Sequence, residues 1–416
     1  MIFALELAAV AATLASIAYY AVCLWSARAF LIERKSAGSA LSRLHGRPKG
    51  AQGLSTPPSL PQAEANAPAE MTTPGIPVSV LKPLKGIDPD MYASFRSHCL
   101  QDYPEYEVIF GVNSPTDPAV EQVERVRREF PDLPVRLILC SRGLGANTKT
   151  GNLAQMLRAA RHDVIVVNDS DIRVPPDYLR RVTAPLADPE IGLVTCLYRG
   201  IANQTLGSRL ESLGISTDFA AGVLVARQIE GIKFGLGSTL AFRRGDLEAI
   251  GGFEGLADYL ADDYQLGVRI ARQGWKVELS DVVVETYLPE YSTSEFVAHQ
   301  LRWARTIRDA RFWGYVGLGL TFGLPWAVLA LAFSGGALWA WGLFAVTLAM
   351  RVAVAWKVGR SVLDDRQVLS LLYLLPLRDV VAFLVWIASF AGHTIHWRGE
   401  VFQLRKGKLE RREMTG

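Results

Sequence analysis

Residues 164–178 read VIVVNDSDIRVPPDY, so that four β-branched residues lead into two aspartates, Asp169 and Asp171. A short continuous apolar run is typical of a strand that is buried on both faces of a parallel sheet. In open α/β sheets, ligands bind just beyond the carboxyl ends of such strands. The two aspartates therefore stand where a binding site is expected, although a solvated turn that closes a strand would use the same residues.

Strand and helix patterns alternate in the chain before this strand. The strand patterns are PVSVLK, YEVIFGV and VRLILC, and the helix patterns are DMYASFRSHCL, PAVEQVERVRREF and TGNLAQMLRAAR. This alternation predicts a parallel sheet with helices on both of its faces. We therefore expect an α/β domain, which extends over residues 77–312.

An apolar segment precedes this domain. Residues 3–25 are long enough to cross a hydrocarbon core of about 30 Å, and no basic region or cleavage site marks them as a secretory signal. We expect residues 1–30 to form a transmembrane anchor, whose following basic residues place this end in the cytoplasm. Residues 31–76 are rich in Ser, Ala, Gly and Pro without periodicity, which predicts a disordered linker.

The chain after the domain, residues 313–397, is apolar again. Residues 313–333 and 337–356 predict a hairpin of two transmembrane helices with basic, cytoplasmic flanks. The last apolar segment contains Pro376, Arg378 and Asp379 and precedes a basic tail, residues 398–416, that is expected in the cytoplasm. A simple crossing would place that tail outside. We therefore expect this segment to be kinked, re-entrant or interfacial, with its two charges paired or facing a polar cavity.

Composition narrows the function. The chain has 416 residues, 50% of them hydrophobic, and its mean hydropathy of +0.17 is too high for a purely soluble protein. A net charge of +3 gives no reason to expect a nucleic-acid partner. The 4 cysteines lack C-x-x-C or metal-type spacing, which indicates a reducing compartment without structural disulfides.

Polar residues at element ends form the candidate site. In addition to the two aspartates, they are Lys82 in KPLKG, Asn113 and Asp117 in GVNSPTDPA, and Lys149 and Asn152 in GANTKTGNL. Each has an ordinary alternative, such as an N-cap for Asp117. Together they would line one rim of a doubly wound sheet, which favours a binding site.

The second half of the domain adds further candidates. The glycines of GLGSTLAFRR permit close backbone approach to a ligand, although a bulge would also use them. Asp262 and Asp263 begin a predicted helix, where the helix dipole alone would favour acids. The basic segment HQLRWARTIRDAR comes just before the membrane, where attraction to anionic lipid would also explain it.

Taken together, these stretches resemble the ceramide glucosyltransferase family. The resemblance covers about residues 77–311 and includes VSVLKPLKG, DYPEYEVIFGV, NDSDIRVPPDYL, ADDYQLG and HQLRW. It implies a membrane-anchored, inverting, nucleotide-sugar-dependent glycosyltransferase with a GT-A (Rossmann-like) fold. Within the family, TCLYRG and the form H-x-L-R-W-x-R-T-I-R are similar to the bacterial hopanoid-biosynthesis glycosyltransferases.

The resemblance also implies residue roles. Asp117 would contact the nucleotide and Asp169 would stand at the D-x-D site, which Asp171 completes where the animal enzymes have glycine. Asp263 would be the catalytic base. Lys149 and Asn152 match a lysine and an asparagine of the family's K-x-x-NL stretch.

The last implied motif is (Gln/Arg)-x-x-Arg-Trp. Arg302 and Trp303 match its final two residues. Its first position is His299 here, which departs from the animal enzymes.

These roles imply a mechanism. Mg²⁺ or Mn²⁺, held by Asp171 and Asp169, would neutralise the diphosphate of a UDP-sugar. Asp263 would take a proton from the acceptor hydroxyl. Arg302 would stabilise the departing diphosphate, and Trp303 would pack against the acceptor or the sugar.

The expected acceptor is a membrane lipid, ceramide or a hopanoid, and the expected donor is UDP-glucose or UDP-N-acetylglucosamine. The protein is expected to be multi-pass in the inner membrane, with its catalytic domain in the cytoplasm. A processive polysaccharide synthase shares the aspartates but usually needs more spans. A non-catalytic membrane scaffold would have no need of the full acidic set.

Overall fold

The computed structural model describes residues 1–44, 75–397 and 400–411. The helices are α1 (Ile2–Leu44), α2 (Met91–Cys99), α3 (Ala119–Glu129), α4 (Thr148–Ala159), α5 (Tyr178–Thr183), α6 (Leu206–Gly214), α7 (Ala220–Glu230), α8 (Arg244–Ala249), α9 (Asp262–Arg272), α10 (Thr293–Ala310), α11 (Phe312–Gly317), α12 (Gly323–Phe333), α13 (Leu338–Val354), α14 (Gln367–Leu371) and α15 (Leu375–Ser389). The strands are β1 (Val78–Pro83), β2 (Tyr106–Val112), β3 (Val135–Leu139), β4 (Val164–Val167), β5 (Ile172–Arg173), β6 (Ile191–Ile201), β7 (Leu240–Arg243), β8 (Lys276–Tyr287), β9 (Thr394–Trp397), β10 (Glu400–Arg405) and β11 (Lys408–Arg411).

The main sheet has the strand order β3-β2-β1-β4-β7-β6-β8-β5. Strands β1 to β4 pair in parallel, as predicted. Beyond them the sheet is mixed rather than parallel throughout, because β7 runs antiparallel to both β4 and β6, whereas β6 and β8 pair in parallel. A strand pattern in a sequence carries no direction. The direction is set by the connection that brings each strand to the sheet.

Alternate residues of the central strands pack on opposite faces of the sheet. Leu81 and Ile165 belong to a buried cluster that includes Met156 of α4, while Val80 and Val166 belong to a second cluster with α2 and α3. All four residues of β4 are buried. Burial on both faces explains the continuous apolar run at this strand, and it confirms the predicted helices on both sides of the sheet.

The N-terminal helix is longer than predicted. Residues 2–36 are long and apolar enough to cross a membrane, and α1 continues to Leu44. Residues 31–44 are therefore helical and do not belong to the linker, since alanine, serine and leucine in SAGSALSRL are compatible with a helix. The remainder of the predicted linker, residues 45–74, lies outside the described residues.

Within the part of the chain that the structure describes, three helices are long and apolar enough to span a membrane, or up to four if a bent pair is one span. That pair is residues 312–321 and 323–333, bent by 57°. Residues 313–333, predicted as one span, are thus bent, as a broken span or a re-entrant loop would be. The helix that starts at Leu338 continues to Val362 through a π-helical segment.

Both ends of the last apolar segment lie against the α/β domain. At its start, Gln367 Oε1 accepts the backbone N–H of Ala202 (3.0 Å), and beyond its end Arg308 donates to the Gly392 carbonyl (3.1 Å). Residues 367–389 are also long and apolar enough to cross a membrane, so the expected kinked, re-entrant or interfacial segment stays a prediction.

The two charges in that segment do not pair with each other. Asp379 accepts from Arg351 of α13 (2.9 Å), and Arg378 lies 3.4 Å from Asp218. Asp218 also pairs with Arg351, which is buried. Because Asp218 lies in the π-helical turn between α6 and α7, these ion pairs join the apolar helices to the α/β domain.

Much of the predicted basic tail is folded. Strands β9, β10 and β11 form an antiparallel sheet over residues 394–397, 400–405 and 408–411, so the apolar helices end before Thr394. Lys406 and Gly407 both have positive φ (51° and 79°), as the tight hairpin between β10 and β11 requires. Phe402, Leu404 and Leu409 of this small sheet belong to one buried apolar cluster. Residues 398–399 and 412–416 lie outside the described residues.

Candidate active site

The turn after β4 is held by a buried polar network. The Asn168 amide donates to the Tyr178 hydroxyl (2.8 Å) and to the Ser238 carbonyl (2.7 Å), and its oxygen lies 3.2 Å from His98 Nε2. Burial, together with the charge on Lys82, lowers the pKa of His98 well below its usual range. Sequence reasoning missed this network, although an asparagine inside an apolar run was a signal for it.

Lys82 supports the same turn from below. Its side chain is 0% exposed, and Nζ donates to the carbonyls of Asp169 (2.8 Å) and Ile172 (3.4 Å). Burial lowers the pKa of Lys82 to about 7, against the attraction of Asp171 and Asp169. The ammonium group of Lys82 is thus enclosed beneath the D-x-D turn, and a substrate-binding role for Lys82 stays a prediction.

Asp169 and Asp171 face different partners. Asp169 Oδ1 lies 2.7 Å from Lys149 Nζ, whereas the Asp171 carboxylate accepts the Thr286 hydroxyl of β8. Burial, and then repulsion by Asp169, raises the pKa of Asp171 to about 6. The turn thus carries two crowded carboxylates, of which Asp169 forms an ion pair with Lys149.

Asp263 completes the acidic set from the start of α9. Its Oδ1 accepts the backbone N–H of Tyr264 (2.7 Å). Burial and the neighbouring Asp262 raise its pKa to about 6, while Lys149 opposes that shift. A β-carbon on Gly237 would lie 3.1 Å from Asp169 Oδ2 and 3.2 Å from Asp263 Oδ2. The glycine-rich stretch therefore lets the backbone pass between two carboxylates.

Asp262 is more than a helix-start acid. It is buried, its Oδ2 lies 3.5 Å from Lys149 Nζ, and Asn147 Nδ2 donates to its Oδ1 (3.5 Å). Lys149 therefore lies between Asp169 and Asp262. Burial opposes the charge of Lys149, yet these two aspartates outweigh it and raise the pKa of the lysine.

The predicted nucleotide-side residues lie at the ends of β2 and β1 and at the start of α4. Asp117 accepts the N–H of Gly86 (3.1 Å) and that of Ala119 (2.9 Å), so it ties the loop after β1 to α3. Asn113 and Asn152 exchange two amide hydrogen bonds, of 2.7 and 2.9 Å. Asn113 is exposed and Asn152 is buried, so the pair holds the two loops together.

The α10 motif forms a second group of side chains. Arg302 donates to His299 Nδ1 (3.0 Å), and His299 Nε2 lies 3.0 Å from Oε1 of the buried Glu211. The Trp303 ring contacts Phe219, with ring centroids 6.3 Å apart. Sequence reasoning missed Glu211, which no recognised motif contains.

Two aromatic rings connect this group to the acidic set. The Phe219 ring lies 5.1 Å from that of Tyr198. Burial, and then the charges of Asp263 and Glu211, raise the pKa of Tyr198 well above its usual range. The arginine-tryptophan motif and the carboxylates thus share Tyr198 as a neighbour.

The remaining arginines of α10 bind backbone groups. Arg305 donates to the carbonyls of Ala391 (2.8 Å) and Thr394 (2.6 Å), and Arg308 donates to those of Ser389 and Gly392. These contacts cap the C-terminal end of α15. These backbone contacts account for Arg305 and Arg308 without any attraction to anionic lipid.

The carboxylates fit a divalent cation that takes other ligands from a substrate. Among the described residues, no group of three or more His, Cys, Asp or Glu side chains could hold a metal ion by itself. Mg²⁺ usually binds through one or two carboxylates and substrate phosphates. Burial, and then repulsion by Asp169, raises the pKa of Asp171, and a cation held by the two carboxylates would relieve that repulsion.

Two proteins of similar sequence are lipid glucosyltransferases by name. Ceramide glucosyltransferase 3 of Caenorhabditis elegans is 25% identical over 339 residues, which cover 79% of this chain and 73% of the relative. Beta-monoglucosyldiacylglycerol synthase of Synechocystis is 30% identical over 213 residues, which cover 50% of this chain and 42% of that protein. The first match extends over most of both chains, so the likeness is not confined to one motif.

The fold has a solved counterpart. The mannosyltransferase PcManGT from Pyrobaculum calidifontis, in complex with GDP-Man and Mn²⁺, superimposes with a TM-score of 0.53 at 22% identity. The match covers 90% of this chain and 99% of that one. The α/β domain therefore has the GT-A fold with membrane-type helices on both sides, as predicted.

The family assignment follows from the whole length of the chain. The pattern that defines glycosyl transferase family 21 matches residues 8–410. This family match and the glucosyltransferases named above identify the chain as a hexosyltransferase. The alternative of a non-catalytic scaffold is therefore not supported. The chain belongs to glycosyl transferase family 21.

Proposed function

We propose that the protein transfers a hexose, glucose or N-acetylglucosamine, from a UDP-sugar to a hydroxyl of a membrane lipid with inversion at the sugar. The acceptor is ceramide or a hopanoid. The observation that carries this proposal is the meeting of Asp169 and Asp263 at Gly237. One carboxylate belongs to the metal and nucleotide side of the reaction and the other to the acceptor side, so the sugar has a place between them.

The nucleotide side uses the ends of β1, β2 and β4. Asp117 contacts the nucleotide, and the linked pair Asn113 and Asn152 shapes the loops around it. Asp171 and Asp169 would hold Mg²⁺ or Mn²⁺, and the bound cation would supply positive charge to the diphosphate leaving group. Lys149 adds a fixed positive charge beside Asp169.

The acceptor side uses Asp263 as the base. The Tyr264 N–H binds Oδ1, while the carboxylate's other oxygen, Oδ2, is the one beside Gly237. We assign Oδ2 to the proton of the acceptor hydroxyl. A pKa of about 6 keeps Asp263 deprotonated at neutral pH and makes it a stronger base than an ordinary aspartate.

Arg302 and Trp303 act at the membrane-facing edge of the site. Arg302 stabilises the departing diphosphate through charge-assisted hydrogen bonds. Trp303 packs against the acceptor or the sugar, next to Phe219. His299 contacts Arg302 and acts through it.

The apolar helices favour a lipid acceptor over a growing polysaccharide. Up to four spans are available in the described residues, and both ends of the last apolar segment touch the catalytic domain. We assign the protein to the inner membrane as a multi-pass protein whose catalytic domain is cytoplasmic. The basic flanks of the apolar segments support this orientation.

The experiment is transfer from radiolabelled UDP-glucose and UDP-N-acetylglucosamine by the purified protein in lipid vesicles. Vesicles contain ceramide, a hopanoid polyol or diacylglycerol, and products are identified by mass spectrometry and anomeric NMR. We expect an inverted glycolipid with ceramide or the hopanoid. Release of free sugar alone, or a polymer, would contradict the proposal.

A further inference from the structure

We propose that Glu211 is a positioning residue that holds Arg302 in its working orientation through His299. The inference rests on the proposed function, because it assumes that Arg302 acts on the departing diphosphate. It adds a residue that belongs to no motif of the sequence and that lies on a different helix, α6.

The contacts form a chain of three side chains. Arg302 donates to His299 Nδ1 at 3.0 Å, and an arginine cannot accept a hydrogen bond, so Nδ1 must offer its lone pair. A neutral His299 ring that accepts at Nδ1 carries its proton on Nε2. Nε2 lies 3.0 Å from Glu211 Oε1. The carboxylate thus faces the protonated nitrogen, which is the tautomer that Arg302 needs.

Burial makes this carboxylate effective. Glu211 is 5% exposed, and its Oε2 has no hydrogen-bond partner among the described residues. The His299 ring is turned so that the Nε2–H does not point straight at Oε1, and the contact is therefore chiefly electrostatic. In a poorly solvated site such a contact is stronger than at the surface.

The neighbours leave the His299 ring little freedom. It lies between the rings of Tyr291 (5.4 Å) and Trp303 (5.6 Å). The main effect left to Glu211 is therefore to determine which ring nitrogen of His299 carries the proton.

The tautomer of His299 gives Glu211 its role. A glutamine at position 299 would accept from Arg302 through its amide oxygen, which has no alternative tautomer. Histidine accepts at Nδ1 only in one tautomer. A buried carboxylate beside Nε2 selects that tautomer, so His299 and Glu211 work as a pair.

The test is a mutant cycle in the full-length protein in lipid vesicles. Variants are Glu211→Gln, His299→Gln and the double variant, and kcat and KM for the UDP-sugar are measured for each. The amide that Glu211→Gln introduces can donate to Nε2, which favours the tautomer that rejects Arg302. We expect kcat of Glu211→Gln to fall about tenfold with KM nearly unchanged, since small misplacements of a catalytic group have effects of this scale.

Rescue separates positioning from structural damage. His299→Gln restores an acceptor for Arg302, so the double variant is expected to match His299→Gln alone and to exceed Glu211→Gln. Glu107→Gln is the matched control, because Glu107 of β2 is also buried but pairs with Arg136 of β3 and Ser79 of β1. It is expected to lower Tm without changing kcat.

Two results would overturn the inference. One is a loss of kcat on Glu211→Gln that is the same whether His299 is present or has been replaced by glutamine. The other is a fall in Tm with no change in kcat. Arg302→Ala shows whether the positioning role of Glu211 or the proposed function of Arg302 has failed. If it is inactive while Glu211→Gln is fully active, only the positioning role fails, whereas an active Arg302→Ala contradicts the proposed role of Arg302 as well.

Discussion

Asp169 and Asp263 come from different halves of the catalytic domain, yet their Oδ2 atoms lie beside the same backbone carbon. A β-carbon at Gly237 would be 3.1 Å from one and 3.2 Å from the other. The gap between the two carboxylates exists because this position has no side chain. In the proposed reaction the sugar crosses from leaving group to acceptor in that gap.

Gly237→Ala should therefore affect chemistry more than folding. The added methyl group would press on both carboxylates and displace them by a few tenths of an ångström. We expect kcat to fall at least about tenfold, with Tm within a few degrees of the parent. Gly143→Ala is the control, since a β-carbon there would meet no atom within 4 Å. A fully active Gly237→Ala would show that this gap is not used.

Asp263→Asn tests the base. Removing general-base help should slow the chemical step by about 10²-fold or more. Binding of the UDP-sugar should change little, because Asp117, Asp169 and the metal remain. Single-turnover rates and nucleotide affinity are the measurements.

Asp262 cannot serve as a silent control for that experiment. It is buried beside Lys149, so Asp262→Asn should lower both stability and nucleotide affinity by releasing that lysine. Asp246→Asn is the better control, since Asp246 of α8 pairs with Arg243 at the end of β7. If Asp262→Asn stops the chemical step and Asp263→Asn spares it, the base is Asp262.

The pH dependence of activity follows from the raised pKa of Asp263. The base must be deprotonated, so kcat/KM should rise with pH through about 6. The residual activity of Asp263→Asn should lack this acid limb. An unchanged limb in that variant would assign it to another group.

Asp171 and Asp263 also make stability depend on pH, but stability falls with rising pH where activity rises. The folded pKa of Asp171 and of Asp263 is about 6, above the ordinary value of 3.8, so folding favours their protonated forms. This contribution is fully present below about 3.8 and is lost as pH rises through about 6. At neutral pH, Asp171→Asn and Asp263→Asn should therefore have a Tm equal to or above that of the parent, by differential scanning fluorimetry. A clear fall in Tm for both would contradict the burial that raises these pKa values.

Asp171→Asn tests the metal. An amide loses the charge that a hard cation prefers, so Mg²⁺ or Mn²⁺ stimulation of turnover should disappear while the fold stays intact. A metal titration of the purified variant, with circular dichroism as the check on folding, is the measurement. Full activity across the titration would exclude Asp171 as a ligand.

Local patterns predicted the first half of the domain well. Strands β1 to β4 and helices α2 to α4 lie close to their predicted places, because buried strands and amphipathic helices are encoded within short windows. The position of Asp169 and Asp171 followed from the strand before them. Contacts between distant segments were not encoded in this way.

The misses share one cause, which is burial by partners far along the chain. The burial of Lys82 comes from the D-x-D turn that covers it, and Asp262 resembles a helix cap until Lys149 reaches it. Glu211 acquires its meaning only when α6 meets α10. No window of sequence contains both members of these pairs.

The small sheet β9–β11 has a consequence for biosynthesis. Leu409 donates its N–H to the Asp258 carbonyl (2.7 Å) and Leu260 donates to that of Gly407 (3.3 Å), so these strands hold the loop that leads into Asp262 and Asp263. The ribosome makes the loop first and the strands only after all the apolar helices. The wall of the site is therefore finished after those helices have left the ribosome, and a nascent catalytic domain stays incomplete until its membrane segments have been made.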